Sequence, residues 1–318
     1  MTDAIPVVVD CDPGLDDAVA LALVAAAPEL DLLGVTTVAG NVSLARTTAN
    51  AGSVLELLGL PAGLAFHAGY TGPLGRYERH PDEPIHGPGG MGDVDLPAPR
   101  PPEPGHAVDW LARTVRERPG EVTIIAIGPL TNIAGLLHSH PDVAPLIAEV
   151  VAMGGAAYVP GNVTVTAEFN IHADPEAARY VAESGVPLRI VPLDVTRAAL
   201  VTRADIDRLR AHGGLARVAG DMLAYLARGF FASHGIEACA VHDALAVAAL
   251  LDPELITWQR AAVTVECGGE FTRGTLIVDT RGRLGRETAV SVATGIDADA
   301  FRALLHSRLT GTERMVST

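Results

Sequence analysis

The chain has 318 residues, 48% of them hydrophobic, and a formal charge of −15 at pH 7. Its mean hydropathy of +0.28 excludes a disordered protein, and its acidity excludes the basic stripes that a nucleic-acid polymer demands of a partner. All 23 basic residues are arginine, so Schiff-base chemistry and the phosphate-binding lysine of a P-loop are excluded too.

No segment reaches the roughly 18 uninterrupted apolar residues of a membrane span, and MTDAIPVVVDCD lacks the order of a secretory signal. No membrane partner and a cytoplasmic location are expected. Cys11, Cys239 and Cys267 form no CxxC or Cys/His cluster and read as packed thiols.

Short apolar runs alternate with helical stretches from the start. IPVVVD precedes LDDAVALALVAAA, LLGVTTVAG precedes SLARTTANAGSVLELLG, and VTIIAIG precedes TNIAGLLHSH. Strand-then-helix order predicts an α/β fold with a mostly parallel, Rossmann-like central sheet flanked by helices and a site at the carboxyl ends of the strands.

The second half continues with VVAMGG, a helix announced by Asp174, Pro175 and Glu176, then LRIVPLDV and TRADIDRLRAHG. AVTVECGGEFTRGTLIVDT has the alternation and glycine turn of a hairpin, and DADAFRALLHSRL reads as a closing helix. No linker divides the chain, so one domain over 1–318 is expected. Residues 68–107, dense in Gly, Pro and His without a period, form a long loop that is either disordered or a lid and site wall.

The first chemistry lies in VVVDCDPGLDDAVAL, where Asp10, Asp12, Asp16 and Asp17 crowd into eight positions. Asp10 and Asp12 point to one side of a strand end, Asp16 and Asp17 open the next helix, and Pro13-Gly14 forces a tight turn between the pairs. All four are expected to converge at the sheet edge. A helix N-terminus offsets one carboxylate by about 0.3–1 kcal/mol, too little for four. A divalent cation answers the crowding, and carboxylate ligands without cysteine point to a hard ion, Ca²⁺ or Mg²⁺.

Further donors are expected from the turn after VTIIAIGPLTN and from His242 and Asp243 of VHDALAV. In GNVTVTAEFNIHADPEAA, Asn162, Glu168 and Asn170 read as one polar face of an extended segment, suited to hydrogen bonding with hydroxyls.

Together these residues resemble the nucleoside hydrolase family, whose signature DxDPGxDDA is matched by Asp10 to Ala18. The likeness extends through TTVAGN (36–41), IHGPGGMG (85–92), GPLTN (128–132), MGG (153–155), AEFNIHADPEAA (167–178) and VHDALAV (241–247). It implies hydrolysis of the N-glycosidic bond of a ribonucleoside, with one Ca²⁺ at the bottom of the pocket.

Carried over by position, Asp12 would bind the metal and act as general base, Asp17 and Asp243 would be further ligands, and Ile127 would lend its carbonyl. Asp16, Asn41, Asn162, Glu168 and Asn170 would hold ribose, with Met153 lining the sugar pocket. His242 would protonate the departing base, with His86 near it. Relatives often place tyrosines in the helix before VHD, where this chain has Tyr225 and then Phe230-Phe231, and Phe230 can pack against a base without hydrogen-bonding to it. The resemblance also favours a homo-oligomer, tetramer or dimer.

Glycosidic cleavage through an oxocarbenium-like state fits nearby anionic oxygens. Three rivals remain. A haloacid-dehalogenase-like phosphatase shares the Asp-x-Asp but expects Thr or Val at Gly14 and usually a lysine. A non-catalytic calcium-dependent nucleoside- or pentose-binding protein could use the same ligands. An HD phosphohydrolase shares only His242-Asp243 and expects an all-helical chain.

Overall fold

The computed structural model describes residues 4–75, 85–286 and 290–311, so part of the 68–107 loop, residues 76–84, lies outside the described residues. The chain begins β1 (Ile5–Cys11), α1 (Leu15–Ala25), β2 (Leu30–Thr37), α2 (Leu44–Leu57) and β3 (Ala65–Ala68). After the long loop come α3 (Ala107–Glu117), β4 (Thr123–Ala126), α4 (Thr131–Ser139) and β5 (Glu149–Met153). Next are α5 (Phe169–Ala173), α6 (Pro175–Glu183), β6 (Leu188–Val191), α7 (Leu193–Thr196), β7 (Val201–Thr202), α8 (Arg203–His212) and α9 (Gly214–His234). The last elements are β8 (Ala238–Cys239), α10 (His242–Leu251), β9 (Ile256–Val265), β10 (Leu276–Asp279), β11 (Val290–Ile296) and α11 (Ala298–Thr310).

Among the described residues, nine strands form one sheet in the order β10-β9-β11-β6-β5-β4-β1-β2-β3. From β11 through β3 every pairing is parallel, while β9 runs antiparallel to β10 and β11. The expected mostly parallel sheet and terminal hairpin are therefore both present.

The sequence of β1 shows why. Val7, Val8 and Val9 are all buried, with Val7 and Val9 in the core shared with α1 and α10, and Val8 in the core shared with α3 and α4. A strand covered on both faces reads as a continuous apolar run rather than an alternating one. Helices α1 and α10 are buried almost all round and pack against each other, so both central helices are apolar throughout.

The order β3-β2-β1-β4-β5-β6 reverses direction between β1 and β4. Ligands of open α/β sheets bind in the crevice at the carboxyl ends of strands at such a switch point. The turn after β1 carries Asp12, and the turn after β4 carries Ile127 and Gly128.

One expectation is corrected. Residues 162–170 are not an extended strip: Asn162, Val163 and Thr164 all turn their N–H groups toward the carbonyl of Ala167, and α5 starts at Phe169. Glu168 caps that helix by accepting the N–H groups of Asn170 and Ile171, so capping chemistry overrides the polar alternation.

Candidate active site

The turn after β1 is built around two carboxylates. Asp17 Oδ2 accepts the Gly14 N–H at 2.8 Å, and Asp17 Oδ1 accepts the Asp12 N–H at 3.2 Å, which fixes the start of α1. Asp12 Oδ2 accepts the Asn41 N–H at 2.6 Å, and Asn41 Nδ2 donates to the Asp12 carbonyl at 3.1 Å. A Cβ at Gly40 would stand 2.0 Å from Asp12 Oδ2, and one at Gly128 would stand 2.7 Å from Asp12 Oδ1. The glycines of TTVAGN and GPLTN thus give the Asp12 carboxylate its room.

Asp16, Asp17 and Asp243 each offer an oxygen within 4.8 Å of the others, and all three are buried. Asp12 adjoins this trio, its carboxyl raised far above the usual range by burial first and by the Asp17 charge next. Asp17 is pushed up to about 8 by burial and by Asp16, against the N–H groups of Gly14 and Asp12. Asp243 is raised well above its ordinary value by burial and then by Asp16, Asp17 and Asp12.

Those shifts combine burial with the mutual repulsion of carboxylates crowded into one site. The N-termini of α1 and α10, which open with Asp16-Asp17 and His242-Asp243, offset only part of this. The leading influences at Asp12, Asp17 and Asp243 are burial, neighbouring carboxylates and hydrogen bonds, none of them a guanidinium. An all-oxygen donor set with excess negative charge fits a hard divalent cation.

The expectation that all four N-terminal aspartates converge is corrected at Asp10. Its Oδ1 accepts from Thr36 Oγ1 at 2.5 Å and Asn132 Nδ2 at 2.7 Å, and Asn132 Nδ2 also donates to the Thr37 carbonyl. Asp10 lies inside β1, facing the opposite core from Val9 and Cys11, and it ties β1 to β2 and α4 beneath the site. Burial raises its carboxyl to about 6, while Asn132 and Thr36 pull it down.

His86 reaches the site from the long loop. Its Nδ1 accepts the Leu15 N–H at 3.2 Å, which leaves the proton on Nε2, 3.7 Å from Asp16 Oδ1. Asn50 Nδ2 donates both to the Pro13 carbonyl and to the Gly89 carbonyl at 3.0 Å, binding loop to turn. His86, expected near the departing base, sits on the Gly14 turn beside Asp16. His242 begins α10; burial lowers its pKa, Asp16 opposes this, and Arg197 and His86 add to it.

Of the other candidates, Glu168 accepts three backbone N–H groups, from Gly155, Asn170 and Ile171. Burial raises its carboxyl against those bonds. Asn170 Nδ2 donates to the carbonyls of Ile127 at 2.9 Å and Met153 at 3.1 Å, joining the ends of β4 and β5. Met153 is buried at the end of β5. Asn162 is exposed, and its Oδ1 accepts the Phe169 N–H at 3.0 Å. Phe230 is half-buried near the end of α9, beside the exposed Phe231.

Sequence reasoning missed the α7 corner. Asp194 accepts the N–H groups of Ala157 and Tyr158, Arg197 donates to the carbonyls of Pro160 and Gly161, and Thr196 Oγ1 lies 2.7 Å from His242 Nδ1. The available signal was Asp194, Thr196 and Arg197 clustered in the segment just after the β6 run Leu188–Val191.

Buried acids stand at the switch point of a mostly parallel sheet with His86 and His242 beside Asp16, an arrangement whose negative charge repels a phosphate anion. Residues 7–303 match the family model described as inosine-uridine preferring nucleoside hydrolase, and the chain belongs to that family. It is 39% identical over 313 residues to the pyrimidine-specific ribonucleoside hydrolase RihA of Salmonella gallinarum (strain 287/91 / NCTC 13346), covering 96% of this chain and 98% of that one.

Two solved structures share its fold with a TM-score of 0.90 and 32% identity each. The plant nucleoside hydrolase PpNRh1 is matched over 96% of this chain and 99% of its own. The purine-preferring ribonucleoside hydrolase from Gardnerella vaginalis is matched over 96% and 98%.

Proposed function

We propose that this chain hydrolyses the N-glycosidic bond of ribonucleosides to ribose and free base, with Ca²⁺ held by Asp12, Asp17, Asp243 and the Ile127 carbonyl. The observation that carries this reading is the buried carboxylate group at the β1/β4 switch, with Asp12 enclosed by Gly40, Gly128 and the Asn41 N–H. When bound, the cation supplies positive charge that orients and acidifies a water.

Asp12 takes a proton from the water that attacks C1′. The C1′–N bond breaks with its electron pair going to the base, and His242 gives that base a proton. Asp16, Asn41, Glu168 and Asn170 hold the ribose hydroxyls, Met153 lines the sugar pocket and Phe230 packs against the base. Asn162 adds a hydroxyl contact from the 161–167 turn, and His86 braces Asp16. The chain acts as one domain and a cytoplasmic homo-oligomer, dimer or tetramer; among the described residues no helix is long and apolar enough to cross a membrane.

The test is ribose release from inosine, adenosine, guanosine, uridine and cytidine, with added Ca²⁺ and after chelation. Release that stops on chelation and returns with Ca²⁺ is expected, and the rates rank the bases. Silence on all five with calcium binding intact would instead favour the binding-protein reading.

A further inference from the structure

Thr196 ends α7, between β6 and β7, and its side chain is fully buried. Its backbone N–H is committed to the Pro192 carbonyl. Among the described residues, the one hydrogen bond of its hydroxyl is to His242 Nδ1, at 2.7 Å. The residues around it are anchored: Asp194 accepts two N–H groups of the loop after β5, and Arg197 donates to two carbonyls of the same loop. The corner that carries the hydroxyl is therefore tied to that loop on both sides of Thr196.

We propose that Thr196 is a positioning residue that keeps a proton on His242 Nε2 and that edge of the ring turned to the substrate; this rests on the reading of His242 as proton donor. The physical reason is the amphoteric hydroxyl. Against a neutral ring, Oγ1–H donates to Nδ1, which leaves the ring hydrogen on Nε2. The reverse bond, Nδ1–H to Oγ1, would leave a buried hydroxyl hydrogen without an acceptor, at a desolvation cost.

Against a charged ring, Oγ1 accepts from Nδ1–H and Nε2–H is again presented. As the C1′–N bond breaks, its electron pair passes to the base and the Nε2 proton moves to that base nitrogen. The donor is the charged ring: loss of its Nε2 proton leaves it neutral with the hydrogen on Nδ1, and a proton taken up from solvent at Nε2 restores it. A nearly isosteric valine keeps the packing and removes this control, whereas serine keeps the control.

The experiment compares wild type, Thr196→Val, Thr196→Ser and His242→Ala on uridine, inosine and 4-nitrophenyl riboside, whose leaving group needs no proton. Thr196→Val is expected to lower kcat on the nucleosides by roughly tenfold to a hundredfold, with KM and the nitrophenyl rate near wild type. Thr196→Ser is expected to restore most of the loss. In wild-type protein with ¹⁵N-labelled histidine, long-range ¹H–¹⁵N spectra should show the His242 proton on Nε2.

A wild-type ring protonated on Nδ1 alone would overturn the proposal without any variant having to fold. Equal slowing of all substrates by Thr196→Val, or no rescue by serine, would also overturn it. If His242→Ala distinguishes the substrates and Thr196→Val does not, only the proposal fails. If His242→Ala does not distinguish them, the proton-donor reading fails and the proposal falls with it.

Discussion

Gly14 lies directly against the ring of His86: a Cβ at position 14 would stand 2.8 Å from both His86 Cγ and His86 Nδ1. That contact joins the tight turn after β1 to a loop residue 72 positions later in the chain, and it sets the place of His86 beside Asp16.

Gly14→Ala should therefore act through His86 rather than through the turn itself, because the Gly14 backbone is extended and open to any residue. The added methyl has to push the ring off the Leu15 N–H and crowd Asn41 Nδ2, at 3.0 Å. Overpacking of this kind costs about 1–3 kcal/mol. Thermal melts and steady-state kinetics are expected to show a modest loss of stability and a KM raised by about tenfold, the equivalent of 1.4 kcal/mol. An unchanged KM would separate His86 from substrate binding.

Asp12→Asn keeps an oxygen for the Asn41 N–H while removing the base. A loss in kcat on the order of 10²–10⁴ is expected, the usual worth of a placed general base. The melting temperature of the variant should stay near or above wild type in the absence of metal, since one of the mutually repelling acids has become neutral. Turnover near wild type in a purified, calcium-loaded Asp12→Asn protein would refute the assignment.

What could be read from residues alone follows from range. The buried run of β1, the helix starts at Asp16-Asp17 and Asp174-Pro175, and the β9–β10 hairpin are local patterns, and each stands where its pattern puts it. Asp10 was misplaced because only the fold reveals that Thr36 and Asn132, 26 and 122 residues away, both bond its Oδ1. The Glu168 region was misjudged for a different reason: a residue that alternates with apolar neighbours can as well be a helix cap, and the acceptor count decides between them. Thr196 carries no motif by itself; its partner lies 46 residues on.

His67 supplies a pH test away from the acids. It is buried in β3, stacked on Trp110 with ring centroids 5.3 Å apart, and its Nε2 is 3.8 Å from Glu103. Burial lowers its pKa below the ordinary 6.5, with Glu103 opposing and Arg113 assisting. The folded state therefore binds this proton less readily than the unfolded chain, so the stability is fully present above 6.5 and is lost as pH falls through the lower folded value. Urea midpoints from about pH 7 to pH 5 should fall more steeply for wild type than for His67→Phe, which keeps an aromatic stack. Parallel curves would remove His67 as a source of acid sensitivity.

Asn170 tests whether the Ile127 carbonyl belongs to the cation site. Its amide holds the Ile127 and Met153 carbonyls together at the ends of β4 and β5, and Asn170→Ala leaves both without that donor. A stability loss of about 1–3 kcal/mol is expected for the buried groups. If the Ile127 oxygen is also a ligand, losing the residue that aims it should weaken calcium binding by about 10–100-fold, as removal of outer-shell partners does elsewhere. Calorimetric titration with Ca²⁺ alone reads this without any turnover. A variant that is less stable yet binds calcium as wild type does would confine Asn170 to joining the strands, and would leave the cation to the carboxylates.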